Sequence, residues 1–201
     1  QPVYRFVKEN KSGGPASIVN YGDRVAVDDA VFVNATFGQG CELDDHYDRG
    51  GGHPGAASIP VAMTLGDLKA RGKEIKKDHA LAMELWSSGE YYPRLLAILI
   101  FDNKLLSEKV IDQLAADILR HDAEQRSPLA DWLLANQLAK DKKLVSLMAT
   151  WEKNASPILR RWFWYHQARL RWVGQAPPDN SADLLDSLER NMAKSEPGVQ
   201  W

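Results

Sequence analysis

Helical periodicity after residue 63 is the feature that most limits how this chain can fold. Eight successive segments place apolar residues at the spacing of a helix face, and short polar connections separate them. They span Asp67–Lys77, His79–Ser87, Tyr91–Phe101, Ser107–Arg120, Pro128–Ala139, Lys142–Lys153, Pro157–Val173 and Asp183–Lys194. Strand patterns are almost absent from this region. We therefore expect an all-α fold.

The spacing of the segments predicts how they are arranged. Pairs of them recur every ~35–40 residues, which is typical of a HEAT-like helical-repeat solenoid. Self-similarity between the pairs is not detectable in the sequence, so an irregular helical bundle remains the alternative. The solenoid is the arrangement that we expect for residues 64–201.

The first 63 residues differ from the rest in composition. They are rich in Gly, Asp and Val and contain none of the seven tryptophans. A helix is predicted near Asp28–Leu43, followed by a Gly-rich loop up to Pro54-Gly55. Ala56–Met63 can begin a further helix. The composition change predicts two domains, residues 1–63 and 64–201, the first short and mostly irregular or helical.

Charge and cysteine content restrict the classes of partner. The net charge is −2, with five basic and eight acidic residues up to Met63 and twenty and nineteen after it. Binding to DNA would therefore need a local basic stripe. No apolar run is long enough to cross a membrane. The single cysteine, Cys41, excludes an internal disulfide and fits a cytoplasmic location.

The segment PILRRWFWYHQARLRWVG carries the clearest candidate site. Helical spacing divides it into two sides. The apolar side holds Leu159, Trp162, Phe163, His166, Leu170 and Val173, and the other holds Arg160, Trp164, Arg171 and, further round, Arg161. Guanidinium groups around an indole can bind phosphates and stack on a base. The alternative is that they pair with acidic neighbours on a solvated face. His166 is predicted to be a core histidine rather than a catalyst.

A carboxylate beside an aromatic side chain forms a second candidate. Asp131, Trp132 and Gln137 fall near a predicted helix start. A buried carboxylate there would stabilise the sugar cation that forms when an N-glycosidic bond breaks. The alternative is an early-turn acid favoured by the helix dipole, with Trp132 as a core anchor.

A family resemblance covers most of the helical region. KEIKKDHALAMELW, DWLLANQLAKDKKLVSLMATWE and LRRWFWYHQARLRW resemble the DNA alkylation repair (AlkD-like) family over roughly Leu65–Trp201. The resemblance implies a HEAT-like solenoid whose concave face receives double-stranded DNA. It also implies removal of cationic alkylpurines by a glycosylase that needs no metal or cofactor.

The catalytic residues of that family match this chain only in part. The positions of a Trp-x-x-x-Asp pair correspond to His121 and Gln125, and a neutral amide cannot offset a positively charged sugar. Arg161 matches the family's arginine, and Trp201 matches a later tryptophan. The resemblance thus implies a DNA-interacting module with impaired glycosylase chemistry. A non-enzymatic helical scaffold that binds a protein partner is the alternative.

The acidic, Gly-rich stretch ELDDHYDRGGGHPG is a third candidate site. Its acids and imidazoles can transfer protons or bind a metal ion, or the stretch is a plain surface loop. VFVNATFGQGCELDDHYDRGGGHPGAASIPVA resembles the 2-methylcitrate dehydratase / cis-aconitate decarboxylase (MmgE/PrpD) family over about Gly14–Ala62. The resemblance assigns Glu42, Asp45, His46 and His53 to a substrate-site region. The segments that complete such a site in that family have no counterpart here, so a lyase remnant is the last alternative.

Overall fold

The chain forms two compact units, residues Gln1–Lys76 and Lys77–Trp201. The structure, a computed structural model, describes residues 2–10, 13–40, 54–172, 178–196 and 199. Within these residues ten α-helices account for nearly all regular structure, accompanied by one two-stranded sheet. The expected all-α class is therefore confirmed.

The first unit packs three helices around a short hairpin. Its elements are α1 (Pro2–Asn10), β1 (Ala16–Ser17), β2 (Arg24–Val25), α2 (Val27–Gly40) and α3 (Pro54–Ile75). The strands are antiparallel, with Ala16 opposite Val25. Side chains on the helices satisfy main-chain amides of the hairpin, since Asp67 accepts from the Ser17 N–H at 2.8 Å and Asn34 accepts from the Val19 N–H at 2.9 Å. These bonds attach the hairpin to α2 and α3.

The α3 helix runs across the composition boundary at residue 63. The two helices that the sequence indicated, Ala56–Met63 and Asp67–Lys77, are a single helix. Pro60 lies inside it and lacks the N–H that a helix interior normally uses. The division between the compact units follows Lys76. This residue comes directly after α3 and has a positive φ of 65°.

The second unit contains the remaining seven α-helices. They are α4 (His79–Ser87), α5 (Tyr91–Ile100), α6 (Glu108–Ile118), α7 (Ala123–Asn136), α8 (Lys142–Met148), α9 (Pro157–Trp172) and α10 (Ser181–Asn191). Short 3-10 turns follow α5, α7 and α10. Side-chain caps begin three of the helices: Asp78, Ser107 and Asp141 each accept an N–H from the first turn, as polar residues before an apolar run commonly do.

Packing in the second unit follows chain order. The helices contact one another in the pairs α4–α5, α6–α7 and α8–α9, and α7 lies against both α5 and α9. Paired helices that stack on the preceding pair are the pattern expected of a helical repeat. The regular solenoid itself stays a prediction.

The limits of α7 differ from those that the sequence indicated. The helix begins at Ala123 rather than Pro128, and Pro128 lies within it. Asp131 is consequently in the middle of α7, while Gln137 is its C-cap residue. The interpretation of Asp131 as an early-turn acid held by the helix dipole was wrong, because that effect is confined to the first turn.

A buried polar cluster joins α4, α5 and α6. The Trp86 Nε1 donates to Asp117 Oδ2 at 3.0 Å, and Arg94 Nε donates to the Trp86 carbonyl at 2.9 Å. The Arg94 guanidinium also lies 4.7 Å from the Trp86 ring centroid. All three side chains are buried. Because buried polar groups are costly without partners, this cluster determines how the three helices meet.

Replacing Asp117 with alanine should destabilise the second unit by about 2–3 kcal/mol. The Trp86 N–H would lose its acceptor in a dry environment. Asp112→Ala, at an exposed position of the same helix, is the matched control and should cost less than about 0.5 kcal/mol. Urea unfolding measures both values. Equal effects of the two substitutions would show that the cluster does not stabilise the fold.

Candidate functional site

The α9 helix separates a buried side from a side that lines a groove. Leu159, Trp162, Phe163 and His166 are buried, as their helical spacing predicted. The Trp162 Nε1 donates to the Ala130 carbonyl of α7 at 2.8 Å, which satisfies the one polar atom of that indole. The opposite side of α9 therefore remains available for contacts other than core packing.

A groove of about 870 Å³ runs between α9 and α10, a size typical of small-molecule and cofactor sites. Each helix contributes a stripe of residues at helical spacing. The stripes comprise Arg161, Trp164, Tyr165, Ala168, Arg171 and Trp172 of α9, and Ser181, Leu184, Leu185 and Leu188 of α10. The walls are thus aromatic on one side and aliphatic on the other.

An ion pair between α7 and α9 forms the polar end of the groove. Arg161 Nε and Nη2 donate to the two oxygens of Asp131 at 3.0 and 2.8 Å. The Arg161 side chain is 6% exposed and that of Asp131 is 28% exposed. This two-point geometry is the strongest form of a guanidinium–carboxylate contact. Arg161 is therefore paired with Asp131. The expectation from the sequence that this guanidinium points outward was wrong.

Aromatic rings extend from this ion pair along α9. The Arg161 guanidinium lies 5.7 Å from the Tyr165 ring centroid. Tyr165 in turn meets Trp172 edge to face, with ring centroids 6.4 Å apart. The Trp172 side chain is otherwise open to solvent, because this residue is 74% exposed. An exposed indole at a groove offers a flat, largely apolar surface to a planar ligand.

Arg171 connects the two walls of the groove. Its Nη2 donates to Asn180 Oδ1 at 2.9 Å and to Ser181 Oγ at 3.1 Å, at the start of α10. Its Nη1 donates to the Gln167 carbonyl at 2.8 Å. All these acceptors are uncharged. Within the described part of the chain, the positive charge of Arg171 is therefore not offset by a contacting carboxylate.

Arg160 does not belong to the groove. Both carboxylate oxygens of Glu196 accept hydrogen bonds from its Nη2, and Nη1 donates to the Ala155 carbonyl at 2.9 Å. The hydrogen bond from Arg160 holds the pKa of Glu196 below its usual value. The cluster of Arg160, Arg161 and Arg171 around Trp164 is thus divided, because two of the three guanidinium groups pair with acids.

His121 and Gln125, which the sequence resemblance matched to a Trp/Asp pair, lie away from the groove. His121 Nδ1 is 3.1 Å from Gln125 Oε1, and the Tyr91 ring meets the imidazole edge to face. Burial raises the pKa of Tyr91, so its phenol stays protonated. Neither His121 nor Gln125 is among the residues that line the groove.

Several sequence-based candidates fall outside the described residues. They are Trp201 and the acidic-loop set of Glu42, Asp45, His46 and His53. Among the residues that the structure does describe, no three His, Cys, Asp or Glu side chains gather closely enough to hold a metal ion. Over the same residues, no helix has both the length and the hydropathy that a membrane crossing requires.

Sequence reasoning missed the aliphatic wall and two of the aromatic rings. Tyr165 and Trp172 follow Arg161 by four and eleven positions, a helical spacing that places them on its face. That signal was present in the sequence. The contribution of α10 could not be found in this way, because it depends on how two helices pack together.

Comparison with protein-family models, with curated proteins and with solved structures found no match to this chain. The groove itself is therefore the basis for inferring a function.

His166 supplies a test of the buried side of α9. Burial, with a smaller contribution from the charge of Arg169, lowers the pKa of this imidazole below 6.5. The unfolded chain takes up the proton more readily, so stability is highest above pH 6.5 and falls as the pH drops towards the folded-state pKa. His166→Leu should reduce this fall. Urea midpoints at pH 7.5 and 5.0 measure it, with His79→Leu as the control. An unchanged pH dependence in His166→Leu would contradict the assignment.

Proposed function

We propose that this chain is a DNA-interacting module whose α9–α10 groove holds an unstacked, positively charged alkylated base. The observation that carries the proposal is the sequence of groups along one face of α9: an ion pair, two aromatic rings and an arginine without an acidic partner in the described chain. These groups provide, in order, a polar stop, a stacking surface and a contact for phosphate.

The aromatic wall supports base binding. Tyr165 and Trp172 present ring surface at the groove, and Trp172 is largely exposed. Stacking of a base on an aromatic side chain contributes about 1–3 kcal/mol and tolerates any base. A purine nucleotide methylated at N7 carries a positive charge, which the face of an aromatic ring attracts further. Such a base thus gains more from this wall than an ordinary one.

Arg171 supports contact with the phosphate backbone. Its guanidinium is held at the groove by uncharged acceptors on α9 and at the start of α10. A guanidinium that keeps its full charge and a fixed orientation is suited to bind phosphate. The chain as a whole is slightly acidic, so such local contacts must supply the attraction.

The state of Asp131 favours binding without base release. Glycosidic cleavage needs a carboxylate that offsets the developing charge on the sugar. Asp131 is the only acid among the described residues that line the groove, and Arg161 occupies both its oxygens. The pair presents little net negative charge. Gln125, at the family's aspartate position, is neutral, so we expect recognition rather than hydrolysis.

A second function is favoured by the rim of α10. Leu185 is 65% exposed and Met192, which also lines the groove, is 56% exposed. An apolar rim of this kind is typical of a surface that binds an amphipathic helix of another protein. This scaffold role uses the same groove but depends on the aliphatic wall rather than on Arg171.

Fluorescence anisotropy with a short duplex that carries one 7-methylguanine tests the DNA proposal. The intact chain should bind it more tightly than the unmodified duplex, with affinity that falls as salt rises. Trp172→Ala should weaken binding about tenfold, through lost stacking. Arg171→Ala should weaken it for both duplexes and lower the salt slope by about one. Free base should not accumulate on incubation.

Arg190→Ala is the matched control for Arg171→Ala. Arg190 lies on α10 and its side chain is 72% exposed. It contacts Asp186 of the same helix, where Nε donates to the carbonyl at 2.9 Å and Nη2 lies 3.9 Å from Oδ2. This substitution should leave the affinity within twofold. Absence of binding at low salt by the intact chain would refute the DNA proposal. If the intact chain does not bind DNA but binds an amphipathic helical peptide, and Leu185→Ser abolishes that peptide binding, the scaffold function is favoured.

A further inference from the structure

A second cavity lies on the other side of α9. It has a volume of about 270 Å³ between α8, α9 and the residues that precede α10. Most of its wall is apolar, formed by Val145, Met148, Ala149, Phe163, Leu170 and Pro178. An apolar cavity of roughly 150 Å³ is large enough to bind benzene. This cavity can thus hold one small ring molecule.

His166 provides an unused polar group in this wall. The residue is 7% exposed, and neither of its ring nitrogens has a hydrogen-bond partner among the residues that the structure describes. Buried polar atoms are nearly always satisfied, so an orphaned imidazole needs a physical explanation. A neutral imidazole offers one donor and one acceptor. A ligand hydroxyl can pair with one of these two nitrogens.

The other two polar side chains of the cavity wall, Asn180 and Gln167, already take part in hydrogen bonds. Asn180 Oδ1 accepts from Arg171, and the Gln167 carbonyl accepts from the same guanidinium. Asn180 Nδ2 also lies 3.4 Å from Gln167 Oε1. These two side chains are thus tied to each other and to the groove side of α9. His166 is left as the group that can select a ligand by hydrogen bonding.

The surroundings exclude a charged ligand. Arg169, one turn after His166, carries a positive charge that acts on the imidazole and would oppose a bound cation. An anion would have to leave water for a largely apolar wall, which is costly without a full set of partners. An uncharged molecule avoids both costs.

From the cavity's size, its apolar wall and the unpartnered His166, we propose a second binding site for a small, uncharged aromatic alcohol, with phenol as the simplest member of the class. Its ring occupies the space between α8 and α9, and its hydroxyl bonds to an imidazole nitrogen. This site is distinct from the groove between α9 and α10, although Gln167 lines both spaces.

Phenol and benzene are the probes, because they differ only in the hydroxyl. Shifts of the Met148 methyl and His166 imidazole NMR signals should report saturable binding of both molecules by the full chain. Phenol should bind about tenfold more tightly, the worth of one hydrogen bond in apolar surroundings. His166→Leu should reduce this ratio to about one. Val145→Phe, which fills the cavity, should abolish binding of both.

His79→Leu is the control, because His79 also has a buried ring nitrogen without a hydrogen-bond partner in the described part of the chain but lies on α4, away from the cavity. It should leave both affinities unchanged. Equal affinities for phenol and benzene in the unmodified chain would overturn the proposal and indicate that water satisfies His166. So would phenol binding that survives Val145→Phe. The phenol-to-benzene affinity ratio of the unmodified chain and the loss of binding in Val145→Phe still test the proposal if His166→Leu fails to fold.

Discussion

The candidate site of the second unit depends on the ion pair between Arg161 and Asp131. A guanidinium that is 6% exposed cannot remain without a partner, and the carboxylate of α7 meets it with two hydrogen bonds. The pair therefore fixes α9 against α7 at the end of the groove. Tyr165 lies beside the same guanidinium, so the aromatic wall takes its position from this contact as well.

The α9 helix contributes residues to both candidate binding sites of this unit. Its buried face places His166 in the wall of a small apolar cavity, and its opposite face carries Arg171 and Trp172 at an open groove. Gln167 lines both spaces and accepts from Arg171. One helix thus separates an apolar site from a site suited to a charged, planar partner, because its two faces differ in composition.

Much of the fold was predictable from the sequence, since helical periodicity and polar caps are local signals. The helix start at Ser107 and the apolar face of α9 agree with what their spacing indicated, whereas the cap that Asp78 forms on α4 was not predicted. Two ion pairs, Arg160 with Glu196 and Arg161 with Asp131, could not be predicted from the sequence, because each joins residues at least thirty positions apart. Asp131 was misjudged because Pro128 resembles a helix start. The DNA resemblance stays a proposal.

A double-mutant cycle on Arg161 and Asp131 measures how strongly this ion pair holds α9 against α7. The free energies of unfolding of Arg161→Leu, Asp131→Asn and the double variant would be compared with that of the unmodified chain. We predict a coupling energy of about 2 kcal/mol or more, because either single change leaves a charge poorly matched. A coupling below about 0.5 kcal/mol, the value of an exposed pair, would contradict the account.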